Sequence, residues 1–425
     1  MVNDWKIRPL EEIADELTVG FVGSMTGEYV NVGIPFLRSQ NVESLRINLS
    51  DVKYISPAFH KKIRKSALKP GDVVIVRTGK PGTCAVIPDW LTDANCSDLV
   101  IVRCGTELMP AYLAYYVNSA AAHHISSHLV GAVQQHFNVG AARRILIPLP
   151  SLAEQARIVH ILGSLDKKIE VNRNTNETLE AIARTLFNSW FVNFDPVRAK
   201  AEGRDTCLPD HIARHFPASF EDSEMGEIPA GWKVAGLDKL GTFLNGLALQ
   251  KYPPTGPESL PAIKIAQLRA GNADGADRVG VDIPAPYKVA DGDVLFSWSG
   301  SLECVVWTAG PGALNQHLFR VTSEFYPKWF YLQWIVHHLP EFRRIAAAKA
   351  TTMGHIQRHH LAQALVLIPP KILVDAMSSY FEPILNMRIT RMLQSRCLSE
   401  FRDALLPRLI TGEIPVRSSP EEAWQ

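Results

Sequence analysis

Several short constellations carry residue types used in catalysis or cofactor binding, and each fails on spacing. Gly79-Lys80-Pro81-Gly82-Thr83 holds the letters of a phosphate loop. That loop, G-x-x-x-x-G-K-[ST], needs its lysine and hydroxyl directly after the second glycine, where they meet the phosphates and Mg²⁺. Gly310-Pro311-Gly312-Ala313-Leu314-Asn315 starts like the dinucleotide fingerprint G-x-G-x-x-G but has asparagine at the third glycine, and Pro311 suits a turn. His124 and His128 sit four apart, as two metal ligands on one helix face can, with no acidic third ligand nearby in sequence. Pro253-Pro254 and Pro369-Pro370 lack both the leading Asn or Asp and the trailing aromatic of an adenine-methyltransferase loop. No nucleophile elbow G-x-S-x-G occurs. Cys84, Cys96, Cys104, Cys207, Cys304 and Cys397 form no C-x-x-C pair, which predicts reduced, mostly buried thiols. The expectation is a chain with no catalytic residue and no metal ligand of its own.

The elements that would position any other site belong to a large globular chain. Its 425 residues predict two or three domains, and 46% hydrophobic with 20% charged residues is an ordinary globular balance. No apolar run approaches the roughly 18 residues of a membrane span, and Met1-Val2-Asn3-Asp4-Trp5 does not open a signal peptide. A cytoplasmic protein without a membrane partner is expected. The net charge of +1 excludes nucleic-acid binding through bulk positive charge. Local patches remain: His60-Lys61-Lys62-Ile63-Arg64-Lys65 running on to Lys69, and Arg343-Arg344, Lys349 and Arg358. A solvated face carries such runs equally well.

The chain repeats itself at an offset of about 220 residues, beyond solenoid periods. Trp5-Lys6-Ile7 and Leu10 match Trp232-Lys233-Val234 and Leu237. Phe36-Leu37-Arg38-Ser39-Gln40 is set against Ile263-Lys264-Ile265-Ala266-Gln267, and Gly71-Asp72-Val73-Val74 against Gly292-Asp293-Val294-Leu295. Gly79, Cys84 and Asn95 match Gly300, Cys304 and Asn315; His136-Phe137 and Ile147-Pro148 match His355-Ile356 and Ile368-Pro369. Identities are sparse, but their order persists, which predicts a duplicated domain. In each copy a Gly-Asp turn should feed a short buried strand. Further strands are predicted at 85–87 and 305–307, 99–102 and 318–321, and 145–147 and 366–368. Helices should open on Pro110 and Pro327, running to Asn118 and His338. The fold class is α/β in the α+β sense, with short strands and no clear βαβ alternation.

Each copy ends in a long helix. Ile158, Leu162, Leu165, Ile169, Asn172, Asn176, Leu179, Ala183, Leu186 and Trp190 keep a heptad seam over 156–191, roughly 50 Å of helix. Asn172 and Asn176 are either buried register markers or simply exposed. In the second helix Leu385, Ile389 and Met392 keep the spacing, and Leu398, Phe401 and Leu405 resume it after a slip. The two stripes are expected to pair as an antiparallel coiled coil, a rod with one globular domain near each end; packing on the globular domains or on a partner is the alternative. Phe187, Trp190, Phe191 and Phe194 should pack on a globular surface. The resulting domains are 1–150, a helix 151–192, an ordered connector 193–228, 229–370, a helix 371–412 and a tail 413–425.

Ile147-Pro148-Leu149-Pro150-Ser151-Leu152-Ala153-Glu154-Gln155 is similar to the lead-in to the first helix of a known family, and the chain resembles the specificity subunit of type I restriction–modification systems. Leu165-Asp166-Lys167-Lys168-Ile169-Glu170 with Asn172-Arg173, and the stretch from Glu177 to Val197, continue the pattern. Met225 to Trp232 resembles the approach to a second recognition domain, and Leu405-Leu406-Pro407-Arg408-Leu409-Ile410-Thr411-Gly412-Glu413-Ile414 the end of the second helix. Pro369-Pro370-Lys371 departs from the family pattern, with no Glu-Gln after it. The resemblance covers essentially the whole chain. It implies that each globular copy is a target recognition domain reading one half of a bipartite double-stranded DNA target, with the helices setting the spacer. It also implies two docked methyltransferase (modification) subunits that bring S-adenosylmethionine, and restriction/translocase subunits that use ATP and Mg. This chain itself would carry no cofactor.

Under that resemblance, base contacts should come from matching loops in the two copies. Arg pairs bidentately with guanine, and Asn or Gln with adenine. Arg38, Ser39 and Gln40 stand opposite Lys264 and Gln267; Arg77, Thr78 and Lys80 opposite Trp298, Ser299 and Ser301; Gln134, Gln135 and His136 opposite His355, followed by Gln357 and Arg358. Two other readings stay open, a DNA-modifying enzyme with an undetected active site and a coiled-coil scaffold that binds only proteins.

Overall fold

The computed structural model describes residues 5–119, 137–348 and 354–416. It divides into two compact units, residues 1–168 with 398–425 and residues 169–397. His124, His128, Gln134, Gln135, His136 and Lys349 lie outside the described residues.

In the first unit, Gly71 takes φ +85°, a conformation that favours glycine. Asp72 then accepts a hydrogen bond from the Lys69 amide at 2.9 Å. This closed turn launches Val73–Val76, buried throughout, into a four-stranded antiparallel sheet. Its order is Cys84–Val86, Val73–Val76, Leu99–Cys104, Ala14–Val19. A five-stranded sheet runs Tyr29–Val30, Lys53–Ile55, Ile34–Leu37, Ala94–Cys96, Ala67–Leu68. Its pairs are antiparallel except that between Ile34–Leu37 and Ala94–Cys96. Lys6–Pro9 pairs with Leu146–Leu149, tying the start of the domain to its end.

The second unit repeats this topology. Gly292 has φ +90°, and Asp293 accepts from the Ala290 amide. The four-stranded sheet runs Thr242–Asn245, Leu318–Thr322, Val294–Ser297, Cys304–Val306. The companion sheet runs Arg278–Val279, Leu260–Ile263, Gly312–Leu314, Lys288–Val289, again with its middle pair parallel. Lys233–Gly236 pairs with Leu365–Ile368. The duplication read from scattered identities is therefore present strand by strand.

Two registers need correction. The parallel pairs place Leu37 opposite Cys96 and Ile263 opposite Leu314, so Arg38, not Leu37, corresponds to Lys264. Isolated bridges Phe21↔Ser97 and Leu247↔Asn315 make Ser97, not Asn95, the counterpart of Asn315. Short strands tolerate one-residue errors in a sequence match, whereas the ladder fixes them. The helix expected to end at His338 spans Lys328–Ala348 with Pro340 inside it. Its aromatic face is buried on both sides of the proline, and that packing overrides the local break.

The first long helix spans Leu152–Phe187 and the second Lys371–Ile410. Ser151 and Glu154 form a capping box, the Ser151 amide donating to the Glu154 carboxylate and the Glu154 amide to the Ser151 hydroxyl. Gln155 is fully buried; its amide donates to the Glu107 and Pro150 carbonyls and accepts from the Met109 amide. The Glu-Gln of the family motif thus starts the helix and staples it to the preceding domain.

The helices run antiparallel within each unit. In the first, Ile158 and Leu162 share a core with Leu406, Leu409 and Ile410, and Asp166 accepts from Arg402 at 2.6 Å and from the Tyr115 hydroxyl at 2.5 Å. In the second, Asn172 is fully buried. Its amide donates to Gln394 and Ser395, and its carbonyl accepts from Arg391 at 3.2 Å. Asn176 donates to the Arg388 carbonyl, and Arg388 pairs with Glu180. Of the two readings, Asn172 takes the buried one, with its side-chain hydrogen bonds made to the facing helix. The expected apolar seam at Phe401 is overturned: Phe401 is 55% exposed, and the seam passes through Arg402, Leu406 and Leu409. The apparent slip is a polar stretch of seam whose partners are Asp166, Asn172 and Asn176.

The first helix continues as a π-helical turn, Asn188–Val192, and the chain leaves through Phe194 at φ +58°. Phe187, Trp190, Phe191 and Phe194 are buried in the core of the second unit with Trp232, Trp329, Trp334 and Phe381.

Candidate nucleic-acid interface

In the first unit the strand Ile34–Leu37 ends in a 3-10 turn, Ser39–Asn41. Buried Asn41 caps it, accepting from the Arg38 amide. Arg38 leans to Asp51, reaching its carbonyl at 2.6 Å and its carboxylate at 3.3 Å, and Gln40 donates to the same carboxylate at 2.6 Å. The Gln40 hydrogen bond first, then the charge of Lys53, holds the Asp51 carboxyl below its usual range. Ser39 is half-buried beside them.

The second unit builds the same device after Leu260–Ile263. Buried Gln267 accepts from the Lys264 amide, and Lys264 pairs with Asp277. Cation and carboxylate are thirteen residues apart in both copies, Arg38 to Asp51 and Lys264 to Asp277. Gln267 is committed to this cap; its sequence neighbourhood had placed it among base-reading side chains.

The second pair of loops leaves the central strands. Arg77 donates to the Phe137 carbonyl and to Asp98 at 2.6 Å, and the Thr78 hydroxyl donates to the other Asp98 oxygen at 3.2 Å. Asp98 is at φ +48°, a left-handed conformation that aspartate tolerates. The Phe137 amide donates to the Arg77 carbonyl, so this loop meets the chain leaving residues 120–136. Lys80 stands exposed beyond Gly79.

The counterpart uses other chemistry at the same backbone positions. The Ile356 amide donates to the Trp298 carbonyl, and Ser299 forms a bridge with His355. The Trp298 indole donates to Asn245 at 2.8 Å and to the Gln316 carbonyl at 3.1 Å. Its ring lies 5.6 Å from His317, 6.2 Å from Phe319 and 6.4 Å from His355. Buried Ser299 hydrogen-bonds His317 at 3.0 Å, as Thr78 does Asp98. Arg358 covers Phe319 at 5.6 Å and donates to the Phe243 carbonyl. Lys264, Asp277, Arg278, Asn315, Gln316 and His317 line one open groove. Trp298, Ser299, His355 and Arg358 thus gather round one aromatic floor, and Lys264 shares the groove of His317. Exposed Ser301 instead lines a second groove with Glu303 and Arg343, and exposed Gln357 precedes the helix Arg358–Gln363.

Residues 3–181 match the family described as the type I restriction modification DNA specificity domain. Over those residues this chain is similar to type I DNA specificity domains. The type I restriction enzyme HindI specificity subunit of Haemophilus influenzae is 25% identical over 63% of this chain and 68% of its own length. The MjaIX specificity subunit of Methanocaldococcus jannaschii is 22% identical over 97% of this chain and 94% of its own. The crystal structure of the type I S subunit from M. genitalium superposes with a TM-score of 0.55 at 11% identity, covering 98% of this chain and 99% of that one. That likeness shows the fold, two tandem domains each followed by a long helix. The family resemblance read from the motifs is the family the comparisons return.

Asn245, Gln316 and His317 bond Trp298 and Ser299 and were not among the residues singled out by sequence. The polar triplet Asn315-Gln316-His317 ahead of an apolar strand was the available signal. Among the described residues no helix is long and apolar enough to cross a membrane. Burial pushes the Cys84, Cys96 and Cys304 thiols well above their ordinary range, which leaves them poor nucleophiles.

Proposed function

We propose that this chain is the DNA-recognition subunit of a type I restriction–modification complex, acts in the cytoplasm, and has no catalysis of its own. Each unit reads one half of a bipartite double-stranded target. The paired helices set the spacer and dock two modification subunits, and restriction/translocase subunits complete the assembly. S-adenosylmethionine, ATP and Mg²⁺ are bound by those partners.

One observation carries this reading. The two units hold the same backbone ladder at Arg77-Thr78 and Trp298-Ser299 but fill it with a guanidinium on an aspartate and an indole on an imidazole. A conserved scaffold with exchanged polar tips is what two readers of different half-sites require. The other candidate contacts stand on the same loops: Arg38, Ser39, Gln40 and Lys80 in one unit, Lys264, His355, Gln357 and Arg358 in the other.

The test is methylation by the complex reconstituted with its modification subunits, mapped base by base. A bipartite adenine-methylation pattern that disappears when this chain is omitted is expected. Methyl transfer by this chain alone would overturn the non-catalytic reading. In the same assay Arg77→Ala should relax one half of the target, and an unchanged pattern and affinity would remove Arg77 from the interface.

A further inference from the structure

The two units differ in charge on one connection of the sheet that contains the parallel pair. Between Lys53–Ile55 and Ala67–Leu68 the first unit inserts the helix Pro57–Lys62 and a 3-10 turn, Arg64–Ser66. The topologically equivalent connection of the second unit, residues 280–287 between Arg278–Val279 and Lys288–Val289, contains no lysine or arginine and carries Asp282.

The insertion is rigidly seated. Ser56 caps the helix, accepting from the Phe59 amide at 3.1 Å. Phe59 and Ile63 are buried with Phe36 and Ile55. Buried Asn95 holds the segment from below, donating to the Ile63 carbonyl at 3.3 Å and meeting His60 Nδ1 at 3.3 Å. With Phe59 and Ile63 inward, Lys61, Lys62, Arg64 and Lys65 are all exposed. His60 takes Asp93, and none of the four cations forms an ion pair with a carboxylate among the described residues. The other basic run is different: Arg343 pairs with Glu303 and Arg344 with Glu341. A protein with net charge +1 therefore keeps four uncompensated cations on one rigid corner. That corner adjoins the base-reading loop. Asn95, which holds the corner, is three residues before Asp98, the partner of Arg77.

We propose that Lys61, Lys62, Arg64 and Lys65 grip the DNA phosphate backbone beside the half-site read by the first unit, and that the second unit has no such grip. The inference rests on the function proposed above and adds an asymmetry to it. The ligand is the polyanionic backbone, because the four cations are sequence-blind point or fork charges, and the one ring beside them, Phe59 under Lys62, is buried and cannot stack on a base.

The test compares the reconstituted complex containing this chain with one carrying Lys61→Gln, Lys62→Gln, Arg64→Gln and Lys65→Gln, on duplexes with and without the mapped target. Each lost phosphate contact lowers the slope of log affinity against log salt by about 0.9. With all four contacts made, the parent complex should lose about 10²-fold more affinity than the variant over a fourfold rise in salt. The ratio of specific to non-specific binding should stay unchanged. A second variant, Lys61→Glu with Lys65→Glu, removes the same net charge while keeping Lys62 and Arg64 and should weaken both duplexes to a comparable degree. An unchanged salt slope in a variant that melts like the parent would overturn the proposal. So would relaxed preference at one half-site, which makes the corner a base reader, or lost assembly with the modification subunits, which makes it a protein-docking face. If the parent complex shows no sequence-dependent binding, the functional reading itself fails.

Discussion

The first unit closes its stretch of the helix pair with aliphatic side chains, Ile158 and Leu162 against Leu406, Leu409 and Ile410. The second uses aromatic rings. Trp329 stacks on Phe381 at 4.2 Å and Phe187 on Phe191 at 4.9 Å, with Trp190, Trp232 and Trp334 edge-on or tilted around them. Where the helices pack, the first unit thus relies on aliphatic side chains and the second mainly on rings. Aliphatic packing needs only volume, whereas an aromatic cluster depends on ring geometry. The largest expected effect follows from that difference. Phe191→Ala should cost about 3–5 kcal/mol, because a rigid ring cluster cannot collapse into the gap. Tryptophan fluorescence reads it, since Trp190, Trp232, Trp298, Trp307, Trp329 and Trp334 all lie in the second unit. A loss no larger than that of Leu162→Ala would end the distinction.

The same aromatic core holds an ionisable group. His338 lies against Trp334 and Phe342 and meets the Leu365 carbonyl at 2.9 Å. Burial first, then neighbouring His337, pushes its pKa down to about 4. A histidine held neutral in the fold is protonated in the unfolded chain below about 6.5, so the unfolded state binds the extra proton. Stability should therefore be full above that pH and fall by up to about 3 kcal/mol as the pH drops from 6.5 to 4. Denaturant melts across this range should show the slope, and His338→Gln should flatten it. An equal slope in that variant would assign the acid sensitivity elsewhere.

Much of this architecture was legible in the residues. Gly-Asp turns, buried β-branched runs and a 4-3 heptad are local signals, and local backbone chemistry produces them. The parallel strand pairs were not legible, since strands of three or four residues show no period. The polar seam misled for a related reason. An apolar stripe identifies a helix face only where the partner is also apolar, and here Arg388, Arg391 and Arg402 occupy seam positions opposite Asn176, Asn172 and Asp166. At the candidate interface, the Arg77 and Trp298 loops could be matched by offset. Their partners Asp98, Asn245 and His317 lie 18 to 53 residues away in sequence, reached only through strand pairing.

The seam itself separates the units again. The first places one carboxylate, Asp166, between Arg402 and Tyr115, and the second places the amide Asn172 among Arg391, Gln394 and Ser395. Asn172→Ala should cost about 2 kcal/mol, the desolvation left with its former partners. It should also relax helix register, as buried polar groups specify pairing. Cysteine pairs introduced across the seam of the second unit would trap alternative registers in the variant. A single crosslinking pattern in both proteins would reduce Asn172 to a packing role.

The smallest effect is the most informative about reading. Thr78 and Ser299 hold the same place, each bonded to a side chain that also meets its larger neighbour. Thr78 donates to the aspartate that orients Arg77, and Ser299 bonds the imidazole beside Trp298. Thr78→Val keeps shape and removes one hydrogen bond, worth about 1 kcal/mol, or roughly a fivefold loss. If the hydroxyl positions a reader, that loss must follow one half of the target. Thr78→Val should raise methylation of sequences altered in the first half-site and leave discrimination in the second intact. Ser299→Ala should do the reverse. A substitution that merely loosened either domain would lower methylation of every sequence in proportion, and that outcome in both variants would show the shared ladder to be scaffold alone.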